Sequence, residues 1–244
     1  MSQHSTVNSQ QSTVNSQQST VSIYSPPAPL PLCPSASPLP YSPQKTVVEQ
    51  HKQEPEIPYL TRFQVLGAMG ATAIILLIVA KLSLYFGNFS LFSWKWDQRE
   101  LLLGVGLGII ITALSGLAYR FFPLYRKSAD YYLELVLKPL ALPDLIWLGL
   151  LPGLSEELLF RGVILPALGS DNTAVIVSSL CFGVLHLSGS QQWPYVIWAS
   201  IVGILLGYSA LITGNLLVPI VAHIVTNWIS SYLWKMWQLS KIKS

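Results

Sequence analysis

From Val65 onward, long apolar runs alternate with short polar connections, and six of the runs read as membrane helices, at about 65–87, 101–119, 143–168, 173–188, 194–212 and 216–237. A bilayer core is crossed by about 20 apolar residues rising 1.5 Å each. In that setting the backbone can satisfy its own polar groups only as a helix. The second run carries Gly104, Gly106, Gly108 and Gly116, small residues that let helices approach closely. Pro143 and Asp144 suit the first turn of the third, where no N–H is needed and negative charge meets the positive helix end. Asn215 and Pro219 open the sixth, and lysines end it. The pattern predicts an all-α fold, a polytopic membrane bundle of about six transmembrane helices.

Residues 1–58 follow another pattern. The heptapeptide Ser-Thr-Val-Asn-Ser-Gln-Gln occurs at 5–11 and again at 12–18, and a proline-rich stretch follows through Pro43. With nothing to bury, this tail is expected to be disordered. No Lys or Arg precedes Lys45, so it matches neither a secretory signal nor an organelle transit peptide. The chain therefore divides into a tail, 1–58, and a membrane domain, 59–244.

Composition sharpens this reading. Of the 244 residues 51% are hydrophobic and 10% charged, and the mean hydropathy is +0.48, whereas soluble domains carry about a quarter charged residues. The partner implied is a lipid bilayer. A net charge of +3, scattered over loops and tails, gives no basis for a nucleic-acid partner. Cys33 and Cys181 lack any context for pairing or metal binding. Arg120, Arg126, Lys127 and Lys138 between the second and third runs place that connection, and with six spans both termini, on the cytoplasmic side.

Between Asp144 and Lys235 the only charged side chains are Glu156, Glu157, Arg161 and Asp171. An ionisable group at mid-bilayer costs at least about 2.5 to 3.5 kcal/mol, so its presence points to a site. Glu157 and Arg161, at i and i+4, form an expected ion pair. Glu156 points about 100° away around the helix and needs a partner from another helix. The two histidines within the runs, His186 and His223, count to similar depths, and Asn227 follows His223 by one turn. Phe182 precedes His186 by one turn and reads as packing.

A carboxylate, two imidazoles and a carboxamide suit amide hydrolysis. Glutamate and one histidine can hold and deprotonate water, and the other histidine and the asparagine can stabilise an oxyanion. Glu156, His186 and His223 would equally make a zinc ligand set with an open water position, and spacing does not separate the two. There is no His-Glu-x-x-His, no Gly-x-Ser-x-Gly and no pair of membrane aspartates.

Three motifs in order, Glu156-Glu157-Leu158-Leu159-Phe160-Arg161, Phe182-Gly183-Val184-Leu185-His186 and His223-Ile224-Val225-Thr226-Asn227, resemble those of the CPBP or ABI family, which includes type II CAAX prenyl proteases and bacteriocin-processing enzymes. The resemblance covers about 140–232. It implies a multi-helix membrane endopeptidase whose site opens toward the cytosol and takes a membrane-associated protein or peptide. By this resemblance Glu156 and His186 activate water, His223 and Asn227 stabilise the oxyanion, and Glu157, Arg161 and Phe182 support them. It favours a metal-free glutamate peptidase over a zinc enzyme. The wording Leu142-Pro143-Asp144-Leu145 through Pro152-Gly153-Leu154-Ser155 is similar to the cyanobacterial and plastid branch, which implies a bacterial plasma or thylakoid membrane and leaves open whether the substrate carries a prenyl group. A non-catalytic adaptor that stabilises partner proteins is the main alternative. A small transporter is another, disfavoured by the lack of a repeat between the two halves.

Overall fold

The computed structural model describes residues 60–87 and 89–243; the repeat-bearing tail lies outside them. Regular structure among the described residues is entirely helical: α1 (Arg62–Gly87), α2 (Gln98–Phe121), α3 (Pro123–Leu137), α4 (Leu145–Leu159), α5 (Leu165–Ala167), α6 (Asn172–Val184), α7 (Trp193–Thr213) and α8 (Leu217–Lys243). A 3-10 turn, Leu142–Asp144, leads into α4, a π turn, Phe160–Ile164, joins α4 to α5, and a second 3-10 turn, Ser190–Gln192, precedes α7.

Local chemistry sets these limits. Asp97 caps α2 by accepting from Glu100 N at 3.1 Å, and Asp171 caps α6 by accepting from Ala174 N at 2.7 Å. Pro123 and Pro194 stand in the first turns of α3 and α7, where a missing N–H costs nothing. α7 ends at Gly214, whose φ of +65° is the left-handed conformation that glycine adopts without strain. The π turn has its own cause. Pro166 has no N–H to give Gly162 O; that carbonyl accepts instead from Phe92 N, at 2.9 Å, in the α1–α2 connection.

The chain is a multi-pass integral membrane protein. α1, α2, the segment Ser190–Thr213 and the segment Leu217–Lys241 are each long and apolar enough to cross a bilayer. α3 and the segment Leu142–Ala167 pass the same test as a pair bent by 106°. Large apolar side chains point outward along α1 (Ile74, Ile75, Ile78) and α2 (Leu102, Leu103, Ile109, Ile110), the arrangement lipid requires. The helices approach through glycines. A Cβ on Gly104 or Gly108 of α2 would press on Val221 or Val225 of α8, and one on Gly207 of α7 would press on Val175 of α6.

All six expected apolar segments are helical, with two differences. α3 falls in the segment read as a loop, because an amphipathic helix leaves no unbroken apolar run to count. The fourth segment stops at Val184 instead of 188, so α6 has 13 residues, about 20 Å, too short to cross alone. The stop is chemical. His186 N turns to Gly183 O at 3.0 Å, and the carbonyl it would have used in a continued helix, Phe182 O, is taken at 2.9 Å by the His186 ring.

Candidate active site

Glu156, His186, His223 and Asn227 line one cavity of about 480 Å³, bounded by α2, α3, α4, α6, α7 and α8. Glu156 and Glu157, neighbours on α4, part ways as the helical turn dictates. The Glu157 side chain is fully buried with Arg161, and its Oε1 accepts from Arg161 Nη1 at 2.9 Å. The same oxygen lies 2.8 Å from His223 Nδ1. Arg161 Nη2 donates to Gly203 O at 2.8 Å, and the guanidinium carbon stands 4.5 Å from the centre of the Phe182 ring. Glu157 thus joins α4 to α8, and Arg161 extends the link to α7 and α6.

Glu156 faces the cavity. Its Oε2 has no hydrogen-bond partner among the described residues and stands 3.9 Å from His186 Nε2. The other ring nitrogen of His186, Nδ1, lies 2.9 Å from Phe182 O. A carbonyl only accepts, so Nδ1 carries the proton, and Nε2 of the neutral ring is left as a base aimed at Glu156. A separation of 3.9 Å is bridged by one water oxygen at about 2.8 Å from each atom.

By the same logic His223 gives its Nδ1–H to Glu157 and turns Nε2 to the cavity. The Phe182 ring stands between the two imidazoles, 4.8 Å from that of His186 and 5.9 Å from that of His223, centre to centre. Asn227, one turn beyond His223, donates through Nδ2 to Leu148 O at 3.4 Å. The wall facing His186 is aromatic. Tyr132 of α3 and Tyr195 of α7 stack at 4.8 Å, and their ring centres lie 6.5 and 6.1 Å from that of His186.

All four expected catalytic positions meet in this cavity, with Phe182 at its wall and Glu157 and Arg161 behind it. Sequence reasoning did not find the Glu157–His223 bond, the Tyr132–Tyr195 wall or the Asn227–Leu148 contact. The first two join distant helices and leave no spacing signal; Pro152, four residues after Leu148, was the available sign of the third. Among the described residues, no group of three or more His, Cys, Asp or Glu side chains is placed to hold a metal ion.

Fold and site together define a polytopic helical membrane protein with a carboxylate–imidazole pair in an internal cavity. The family profile described as type II CAAX prenyl endopeptidase Rce1-like matches residues 138–229, and this likeness supports a CAAX-protease-like membrane endopeptidase. A similar protein of Bacillus subtilis (strain 168), described as uncharacterized protein YpbD, is 29% identical over 133 residues, 53% of this chain and 68% of the relative. No solved structure matches the chain.

Proposed function

We propose that the chain hydrolyses a peptide bond of a membrane-associated protein or peptide with a water activated by Glu156 and His186. The observation that carries this reading is the 3.9 Å approach of Glu156 Oε2 to His186 Nε2 inside the cavity, neither atom hydrogen-bonded elsewhere among the described residues. Water held between them gives a proton to this pair as its oxygen attacks the scissile carbonyl carbon. The electron pair moves to the carbonyl oxygen. His223, its Nδ1–H held by Glu157, donates to that oxyanion through Nε2–H when the ring carries its second proton, with the Glu157 carboxylate offsetting the charge. Asn227 Nδ2 supplies the second donor. As the carbonyl reforms, the carbon–nitrogen bond breaks and the proton held by Glu156 or His186 passes to the leaving amine. The scheme uses no metal.

The cavity is lined by Tyr119 near the end of α2 and Trp237 near the end of α8, on the side of Arg120, Arg126 and Lys127. We assign this side, with both termini, to the cytoplasm of a bacterial plasma or thylakoid membrane. The deciding experiment compares membrane proteomes of cells carrying the parent protein or Glu156→Ala. A peptide terminus made only by the parent, with both proteins at equal level in the membrane, is the expected result. Equal proteolysis by the two would remove the assignment, and partner proteins that persist equally with Glu156→Ala would favour the adaptor.

A further inference from the structure

We propose that Pro152 is a positioning residue for Asn227, acting through the carbonyl of Leu148; the inference rests on the reading of Asn227 as an oxyanion donor. In an α-helix the carbonyl of residue 148 accepts from the N–H of residue 152. Proline has no N–H, so α4 carries an acceptor at Leu148 that its own helix cannot serve. Within a bilayer such a group requires another partner. Asn227 Nδ2 is that partner, at 3.4 Å.

The surroundings fit this use. Leu148, Pro152, Glu156 and Asn227 all line the cavity, and Pro152 precedes Glu156 by one turn on the same face of α4. The helices are close enough for the contact because Gly149 and Gly153 face α8: a Cβ on the first would overlap the Trp228 indole, and one on the second would overlap Ile224. Trp228, next to Asn227, also reaches the α4 backbone, donating to Ile146 O at 3.2 Å. One amide hydrogen of Asn227 is spent on Leu148, which fixes the plane of the carboxamide. The second hydrogen is left for the cavity.

A thermal-unfolding cycle on the full chain in detergent tests the link without any activity. With Pro152 in place, Asn227→Ala leaves Leu148 O unserved and lowers Tm by about 2 to 4 °C, the shift per kcal/mol for a chain of this size. In Pro152→Ala the new N–H serves that carbonyl, and Asn227→Ala then lowers Tm by no more than about a third as much. Pro152→Leu, which also restores an N–H, repeats the comparison should alanine disturb the packing. Equal losses from Asn227→Ala in all backgrounds overturn the proposal. On the substrate found by the proteome comparison, Pro152→Ala is expected to lower kcat by about tenfold or more with KM held and no fall in Tm, the effect of misaligning one oxyanion donor. Unchanged kcat in a protein that does cleave also overturns the positioning role. If Glu156→Ala and the parent cleave alike, the peptidase reading falls while the unfolding cycle still decides on Pro152.

Discussion

Glu157 Oε1 stands 2.8 Å from His223 Nδ1 and 2.9 Å from Arg161 Nη1, so one buried oxygen holds both an imidazole that faces the cavity and a guanidinium that does not. The ion pair is therefore more than a lock on α4. It selects which nitrogen of His223 faces the cavity, the arrangement a carboxylate imposes when it stands behind a histidine. Removing one partner from so buried a pair leaves an uncompensated charge.

Glu157→Ala is expected to lose about 3 to 5 kcal/mol of stability because Arg161 then remains charged and unpaired. Reduced accumulation in membranes and a lower Tm in detergent would register this. Glu157→Gln keeps the volume and one acceptor but not the charge. It should fold, and its kcat should fall by about 10² to 10³ at nearly constant KM if the His223 donor is lost from the oxyanion. Parent-like kcat in Glu157→Gln would separate His223 from the reaction.

Arg161→Lys tests the other end of the link. The guanidinium bonds Glu157 and Gly203 O at once and lies against the Phe182 ring; an ammonium on a flexible stem cannot reproduce that fork. The expected result is a Tm lowered by several degrees, with a kcat loss smaller than that of Glu157→Gln because the carboxylate still faces His223. Identical kcat losses would place the whole effect in stability.

What the sequence disclosed and what it withheld divide along physical lines. Rare charges in apolar runs marked Glu156, Glu157 and Arg161, because a bilayer makes every such group expensive, and one-turn spacings paired Glu157 with Arg161 and His223 with Asn227. Contacts across helices had no such signal: nothing in the local spacing says that Glu157, and not Glu156, meets His223. The two expectations that the structure altered have separate causes. α3 hides in an amphipathic pattern, and α6 ends four residues early because a side chain, His186, competes for a backbone acceptor.

Asn215 should matter for stability although it lies away from the cavity. Its Oδ1 accepts from Lys95 N at 3.0 Å and Leu217 N at 3.1 Å, and its Nδ2 donates to Lys95 O at 2.7 Å and to the Glu100 carboxylate. It caps α8 and ties it to the α1–α2 connection. Asn215→Ala is expected to cost about 1 to 3 kcal/mol, read as a fall in Tm, with the kcat of the folded fraction unchanged. A change in Tm below one degree would contradict this account of the cap.

The aromatic wall leads to a test that needs no substrate. His186 sits just beyond the end of α6, where the backbone no longer holds it in a helix, and its ring is flanked by Phe182 on one side and by the stacked Tyr132 and Tyr195 on another. Aromatic contacts of this kind contribute about 0.5 to 1.5 kcal/mol each. Tyr195→Leu should therefore free the ring and raise the rate at which diethyl pyrocarbonate modifies His186 by about two- to tenfold. His223, held by Glu157 on the far side of Phe182, should react as in the parent and so report that the bundle is intact. Tyr195→Phe keeps the ring and should behave like the parent, whereas Tyr85→Leu, on the exposed face of α1, should change neither histidine. Mass spectrometry of the modified peptides reads both sites at once. A parallel rise at His186 and His223 would mean that the bundle had loosened generally, and no rise at His186 would mean that the tyrosine wall does not hold it.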